Sequence, residues 1–219
     1  MRQIISLFGF LFISISFAYA QNLPFAGEIQ NFRKQDSLHF PPSGAILFVG
    51  SSSFTKWKDV QDYFPGYPII NRGFGGSSFP DLIRYADVII FPYHPRQVII
   101  YCGDNDINSS DTVDAISVFN RFLTLFGMIR KQMPEVSIVF VSIKPSPSRA
   151  AQRPRQIAAN KLIRDFLSTH ANASYVNVAD LMLNKDGRPI PSIFLSDSLH
   201  MNASGYAIWQ KAILPYLKK

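Results

Sequence analysis

Short apolar runs recur along the chain at residues 45–49, 68–70, 97–101, 136–143 and 175–178, several rich in Val and Ile and lacking strict polar–apolar alternation. Runs of this kind suit strands covered on both faces. Between and after them the period changes to that of a helix, over residues 80–91, 112–133, 155–170 and 205–217. In the second of these, Val113, Ile116, Phe119, Phe122, Leu123, Phe126 and Ile129 trace one face at three- and four-residue steps until Pro134 stops it. Alternating strand and helix signals predict parallel strands joined by right-handed helical crossovers. The expected fold class is therefore α/β, a three-layer α/β/α sandwich with a central parallel sheet of about five strands. Its site should lie at the carboxyl ends of the strands. Ahead of the first strand, Phe25, Ile29 and Phe32 at helical spacing and the break at Pro41-Pro42 predict a helical extension over residues 21–42, packed on the outside of a main domain spanning 43–219.

The first twenty residues stand apart from this pattern. Arg2 precedes an apolar run from Ile4 to Phe17, followed by Ala18-Tyr19-Ala20. The run is shorter than the roughly 20 residues a spanning helix needs, and the Ala-x-Ala step suits a signal peptidase. Residues 1–20 are expected to be a secretory signal peptide cleaved before Gln21, which predicts an exported, periplasmic or extracellular protein with no stable membrane insertion once the signal is removed. At 47% hydrophobic against 17% charged, the chain can build a sizeable core and is not a disordered one. A single cysteine, Cys102, excludes an internal disulfide framework and a multi-cysteine metal site, and is expected to be a core thiol. Arg2 is the only charged side chain in residues 1–20, so its removal takes the formal charge from +7 to +6. The basic residues are scattered and form no aromatic-interleaved strip, so no nucleic acid partner is expected. Three Asn-x-Ser triplets, at Asn108, Asn172 and Asn202, matter only in a eukaryotic secretory pathway.

Four segments could carry chemistry. The first strand runs into Gly50-Ser51-Ser52-Ser53, a hydroxyl-rich turn that would expose a nucleophile at the sheet edge; alone, it is also a common turn or helix cap. The second ends in Asn71-Arg72-Gly73-Phe74-Gly75-Gly76-Ser77-Ser78, whose glycines permit a tight loop with converging amides. A dinucleotide fingerprint would require glycine where Ser78 stands. The third ends in Gly103-Asp104-Asn105-Asp106, which by itself suggests a solvated turn; a calcium loop would need Gly and Glu where the chain has Ser109 and Ala115. Near the C-terminus, Asp197-Ser198-Leu199-His200 places a carboxylate three residues before an imidazole, a spacing that can hold the ring in one tautomer. No further metal ligands group with His200, and neither metal nor cofactor is implied. The segment from Lys144 to Arg149, just after the fourth strand, suggests a solvated loop, with pocket lining as its alternative.

In order and spacing, these four blocks resemble the SGNH hydrolases, also called the GDSL family, over approximately Gly44 to Tyr216. The resemblance implies a flavodoxin-like SGNH hydrolase fold. It also implies that Ser52 is the nucleophile, because Gly50-Ser51-Ser52 falls where the family shows Gly-Asp-Ser, with Ser51 departing from the family's Asp. It further implies that Asp197 and His200 complete a triad, and that the amides of Ser52 and Gly76 and the side chain of Asn105 form an oxyanion hole, with Gly73 as the alternative to Gly76. The Gly-Ser-Ser-Ser variant is similar to the branch of platelet-activating-factor acetylhydrolases and exported bacterial esterases. The expected activity is hydrolysis of a small-molecule or polysaccharide ester, with acetylated sugars leading. A lysophospholipase or thioesterase, a sugar O-acyltransferase and a non-catalytic carbohydrate-binding module stand as alternatives.

Overall fold

The computed structural model describes residues 23–219, so the expected leader lies outside the described residues. Five parallel strands, β1 (Ile46–Gly50), β2 (Ile69–Gly73), β3 (Gln97–Tyr101), β4 (Ser137–Val141) and β5 (Ala173–Val176), form one sheet in the order β2-β1-β3-β4-β5. The registers run from Ile46 against both Ile69 and Gln97 outward to Ile138 against Ala173. The chain leaves β1 toward one edge and returns past it to build the other, so the crossovers diverge between β1 and β3. Open α/β sheets place their crevice outside the carboxyl ends at such a point.

β1, β3 and β4 are buried along their whole length, as expected of runs covered on both faces. The edge strands β2 and β5 are only partly buried. On one face, Leu47, Val49, Val98, Ile100, Ile138 and Phe140 meet the apolar sides of α1 (Ala26–Leu38), α4 (Phe79–Ile89), α6 (Ala115–Gln132) and α7 (Arg153–Leu167). On the other, Phe48, Ile99, Tyr101 and Val139 meet α2 (Ser52–Thr55), α3 (Val60–Tyr63) and α8 (Ala203–Ile213), through Phe54, Trp57, Phe64, Tyr206 and Trp209. Alternate side chains of each strand thus feed separate cores, which makes the three layers. Among the described residues, no helix is long and apolar enough to cross a membrane.

Helix boundaries follow local chemistry. The Ser78 hydroxyl and the Asp81 carboxylate form a capping box at the start of α4, and Asp114 caps α6 by accepting from the Ser117 amide. The last helical pattern was expected to reach residue 217, but α8 stops at Ile213 and one 3₁₀ turn, Leu214–Tyr216, follows. Pro215 lacks the N–H that would continue the α-helical ladder.

The helical extension lies against the first face, where Ile29 of α1 is buried. It is tied down by charge as well. The Arg72 guanidinium pairs with Asp36 and donates to the Tyr93 hydroxyl, which itself donates to Asp36 at 2.5 Å, while the Arg72 carbon Cζ sits 5.1 Å from the Phe32 ring centroid. Burial, with the Asp36 hydrogen bond adding to it, pushes the Tyr93 hydroxyl up to about 12. Asp36→Ala strands a guanidinium whose side chain is 9% exposed, and should cost about 3–5 kcal/mol in urea denaturation. A loss under about 1 kcal/mol, typical of a surface pair, would mean that the extension merely rests on the sheet.

Candidate active site

The end of β1 makes a turn that only glycine accommodates. Gly50 has φ +151°, and a Cβ there would lie 1.9 Å from the Tyr101 carbonyl oxygen of the neighbouring strand. The chain can therefore break from the sheet while still beside β3. The Ser51 amide donates to that same carbonyl at 3.1 Å, and Ser51 then caps α2 in extended conformation, its carbonyl accepting from the amides of Phe54 and Thr55. Ser52 becomes the first residue of α2, where an N–H has no intrahelical acceptor. Its side chain is half-buried at the carboxyl edge of the sheet.

The imidazole arrives from the far end of the sequence. An antiparallel bridge between Phe194 and Met201 closes a tight loop, in which the Leu195 amide donates to the His200 carbonyl at 2.7 Å. Asn202 anchors that loop by capping α8, its side-chain oxygen accepting from the amides of Ser204 and Gly205. Within the loop, Asp197 Oδ1 accepts from the amides of Leu199 and His200, both at 2.9 Å. Its other oxygen, Oδ2, lies 2.6 Å from His200 Nδ1. Slight burial works to raise the Asp197 carboxyl, but the His200 ring and the two amides outweigh it and hold the group well below the usual carboxylate range. An ionised carboxylate only accepts, so Nδ1 carries a ring proton, and in the neutral imidazole Nε2 is then the acceptor. His200 Nε2 lies 2.9 Å from Ser52 Oγ. The structure thus brings Ser52, His200 and Asp197 into one hydrogen-bonded line.

Two loops flank that line. The one after β2 is drawn to the serine turn by the Phe74 amide and the Ser77 hydroxyl, which donate to the Gly50 carbonyl at 3.0 and 3.1 Å. In it the Gly73 amide is taken by Asn71 Oδ1 at 2.9 Å, whereas the amide of exposed Gly76 has no acceptor among the described residues. The other flank differs from expectation. Gly103-Asp104-Asn105-Asp106 is not a solvated turn but opens a short helix, α5 (Asp104–Ser109), with Asp104 and Asp106 buried. Gly103 permits the entry, at φ +113°, where a Cβ would meet Ile143 Cδ1 at 2.7 Å. Asp106 accepts from the Phe79 amide and from Arg121, and Asn105 Nδ2 donates to the Ser77 carbonyl at 3.0 Å. Burial pushes the Asp106 carboxyl up, with Arg121 and the Phe79 amide opposing it.

The segment from Lys144 to Arg149 also departs from expectation, because Lys144 and Ser146 are 1% exposed. Its start is core rather than solvated loop: Lys144 Nζ lies 5.8 Å from the Phe194 ring centroid. Burial pushes the Lys144 amine down, with Asp104 and Asp197 opposing that shift and Arg149 adding to it. Arg149, which no spacing rule connects to the site, donates to the Asp104 carbonyl at 2.8 Å and to Asn105 Oδ1 at 3.1 Å. Cys102 is a buried free thiol. Among the described residues, no group of three His, Cys, Asp or Glu could hold a metal ion.

A family model described as the GDSL-like lipase/acylhydrolase family matches residues 36–208. No curated protein matches the chain. Among solved structures, a protein of Streptococcus pneumoniae described as a platelet activating factor is similar, with a TM-score of 0.76 at 21% identity over 88% of this chain and 92% of that one. A GDSL-like lipase from Bacteroides thetaiotaomicron gives 0.71 at 16% identity over 86% and 96%. An acetyl xylan esterase from Geobacillus stearothermophilus gives 0.63 at 15% identity over 80% and 95%. At these identities the likeness is one of fold.

The glycine at the end of β1 generates a prediction of its own. Gly50→Ala should destabilise the protein by more than about 3 kcal/mol in thermal or urea unfolding, or yield no soluble chain. A variant that folds with parental stability would show that the turn can be built another way.

Proposed function

This chain belongs to the GDSL-like lipase/acylhydrolase family and is an ester-hydrolysing serine hydrolase, and on that premise we propose that it is an exported esterase that removes short acyl groups, acetyl above all, from carbohydrate substrates. The observation that carries the reading is the 2.9 Å contact between His200 Nε2 and Ser52 Oγ, with Asp197 on the opposite ring nitrogen. In this mechanism His200 takes the Ser52 proton as Oγ attacks the ester carbonyl carbon. The tetrahedral intermediate collapses, the carbon–oxygen bond to the alcohol breaks, and the imidazolium returns the proton to the leaving oxygen. Water then repeats the cycle on the acyl-serine and releases the acid. Asp197 fixes the tautomer and balances the imidazolium charge.

The amides of Ser52 and Gly76 and the second N–H of the Asn105 side chain are the donors for the oxyanion. Two features favour that assignment over Gly73: the Gly73 amide is already spent on Asn71, and the Asn105 side chain is bonded to the residue after Gly76. The Asp197 side chain is 45% exposed, so the acid end of the triad is open to solvent, which is compatible with a bulky alcohol. Likeness to the fold of an acetyl xylan esterase points the same way. Export rests on residues 1–20, which have the composition of a secretory leader.

Ser52→Ala should keep its melting temperature and lose about 10³-fold or more of kcat on p-nitrophenyl acetate; retained turnover would remove Ser52 as the nucleophile. Asn105→Ala should lower kcat by about 10² to 10³ with little change in KM, measured on the same ester. Across p-nitrophenyl esters of increasing chain length, kcat/KM is expected to be highest for acetate, with acetate also released from acetylated xylan. A preference for long acyl chains would redirect the assignment to lipid substrates, and turnover that depends on an added sugar acceptor would redirect it to acyl transfer.

A further inference from the structure

We propose that Arg149 is a positioning residue for the oxyanion site, acting through the side-chain amide of Asn105 rather than on the substrate. The proposal rests on the assignment of Asn105 as an oxyanion donor. A primary amide is a useful donor only if its oxygen and nitrogen cannot exchange places, and two contacts decide this for Asn105. The Ser77 carbonyl takes one Nδ2 hydrogen at 3.0 Å, and Arg149 Nη2 donates to Oδ1 at 3.1 Å. A flipped amide would set its NH₂ against a guanidinium and its oxygen against a carbonyl, so neither contact tolerates the flip. One N–H is left over. A cation on Oδ1 also polarises the amide and makes that remaining N–H a stronger donor.

Arg149 is itself held firmly. Its Nη1 donates to the Asp104 carbonyl at 2.8 Å and lies 3.4 Å from Asp104 Oδ1, and its side chain is 12% exposed. Gln156 of α7 donates to the same carboxylate oxygen at 2.9 Å. The loop that delivers Arg149 also touches the opposite half of the site, since the Ser148 amide donates to the Ser198 carbonyl at 3.1 Å. Ser198 lies between Asp197 and His200 with φ +55°, so one short segment braces both the oxyanion side chain and the imidazole loop. Lysine could supply the charge but not the planar fork that reaches a main-chain and a side-chain oxygen together.

A double-mutant cycle on p-nitrophenyl acetate tests this, using the parent chain, Arg149→Met, Asn105→Ala and the pair. Arg149→Met should lower kcat about tenfold with KM within about twofold of the parent. In the Asn105→Ala background the same substitution should change kcat by less than about twofold. Arg149→Lys should recover little of the loss. Equal losses in both backgrounds, a loss expressed in KM, or no loss at all would overturn the proposal. If Asn105→Ala itself leaves kcat unchanged, the oxyanion assignment fails and this proposal fails with it. A loss in Asn105→Ala joined by an independent Arg149 effect overturns this proposal alone. Arg149→Met leaves Asp104 buried without its cation; if that prevents folding, the whole cycle is run on Asp104→Asn, which removes the orphaned charge.

Discussion

Everything at the carboxyl edge of the sheet turns on one hydrogen bond between residues 148 positions apart, His200 Nε2 to Ser52 Oγ. Neither partner could hold that distance alone, because Ser52 opens a helix of a single turn and His200 sits on a loop. The distance is set beneath them, where α2 and α8 share a face of the sheet. The Tyr206 hydroxyl of α8 donates to the Ser53 carbonyl at 2.9 Å, and its ring stacks on Trp57 with centroids 4.8 Å apart. Phe54, one residue further along α2, meets Trp209 edge-on at 5.9 Å. Aromatic side chains have few rotatable bonds and large contact areas, so a block of them transmits position with little slack. The serine turn and the helix that follows the histidine loop are therefore two parts of one packed unit.

The sheet and most helices were legible in the sequence because their residues obey local rules. Val- and Ile-rich runs without alternation suit covered strands, and they became β1, β3 and β4. The serine and histidine blocks each fall where a strand or helix pattern breaks, so topology can carry them to one edge, but it was the resemblance to the SGNH hydrolases that singled out Ser52, Asp197 and His200 within them. Asp104 and Asp106 were not legible. A carboxylate in a Gly-Asp-Asn-Asp run suggests solvent, and the partners that make burial tolerable, Arg149 and Gln156 for one and Arg121 and the Phe79 amide for the other, are distant in sequence. Lys144 and Arg149 were hidden in the same way, among prolines and serines that resemble a surface loop. Hydrophobic periodicity encodes which face is inside, but it does not encode which charges meet there.

Those buried charges divide the work among the helices of one layer. On the α4–α6 side, Asp106 locks the start of α4 to α6 through the Phe79 amide and Arg121, which fixes the loop carrying Ser77. Asp104, two residues earlier, faces α7 and the Arg149 loop instead. Asn105 stands between them, so the side chain proposed as an oxyanion donor is flanked by two anchored carboxylates that pull on different helices. The extension adds a third such anchor at the sheet's edge, where Asp36 neutralises Arg72. In each case the apolar layers supply the bulk of the adhesion and a paired charge selects the alignment.

The placement of the indoles gives the molecule an uneven optical signature. The chain has two tryptophans, Trp57 and Trp209, and both are fully buried in the layer that carries the serine turn and α8. The layer formed by α1, α4, α6 and α7 has none. Emission excited selectively from tryptophan therefore monitors the half of the sandwich that carries Ser52, while loosening of the opposite half, including the extension clamped by Asp36, falls to tyrosines such as Tyr85 and Tyr93 to report.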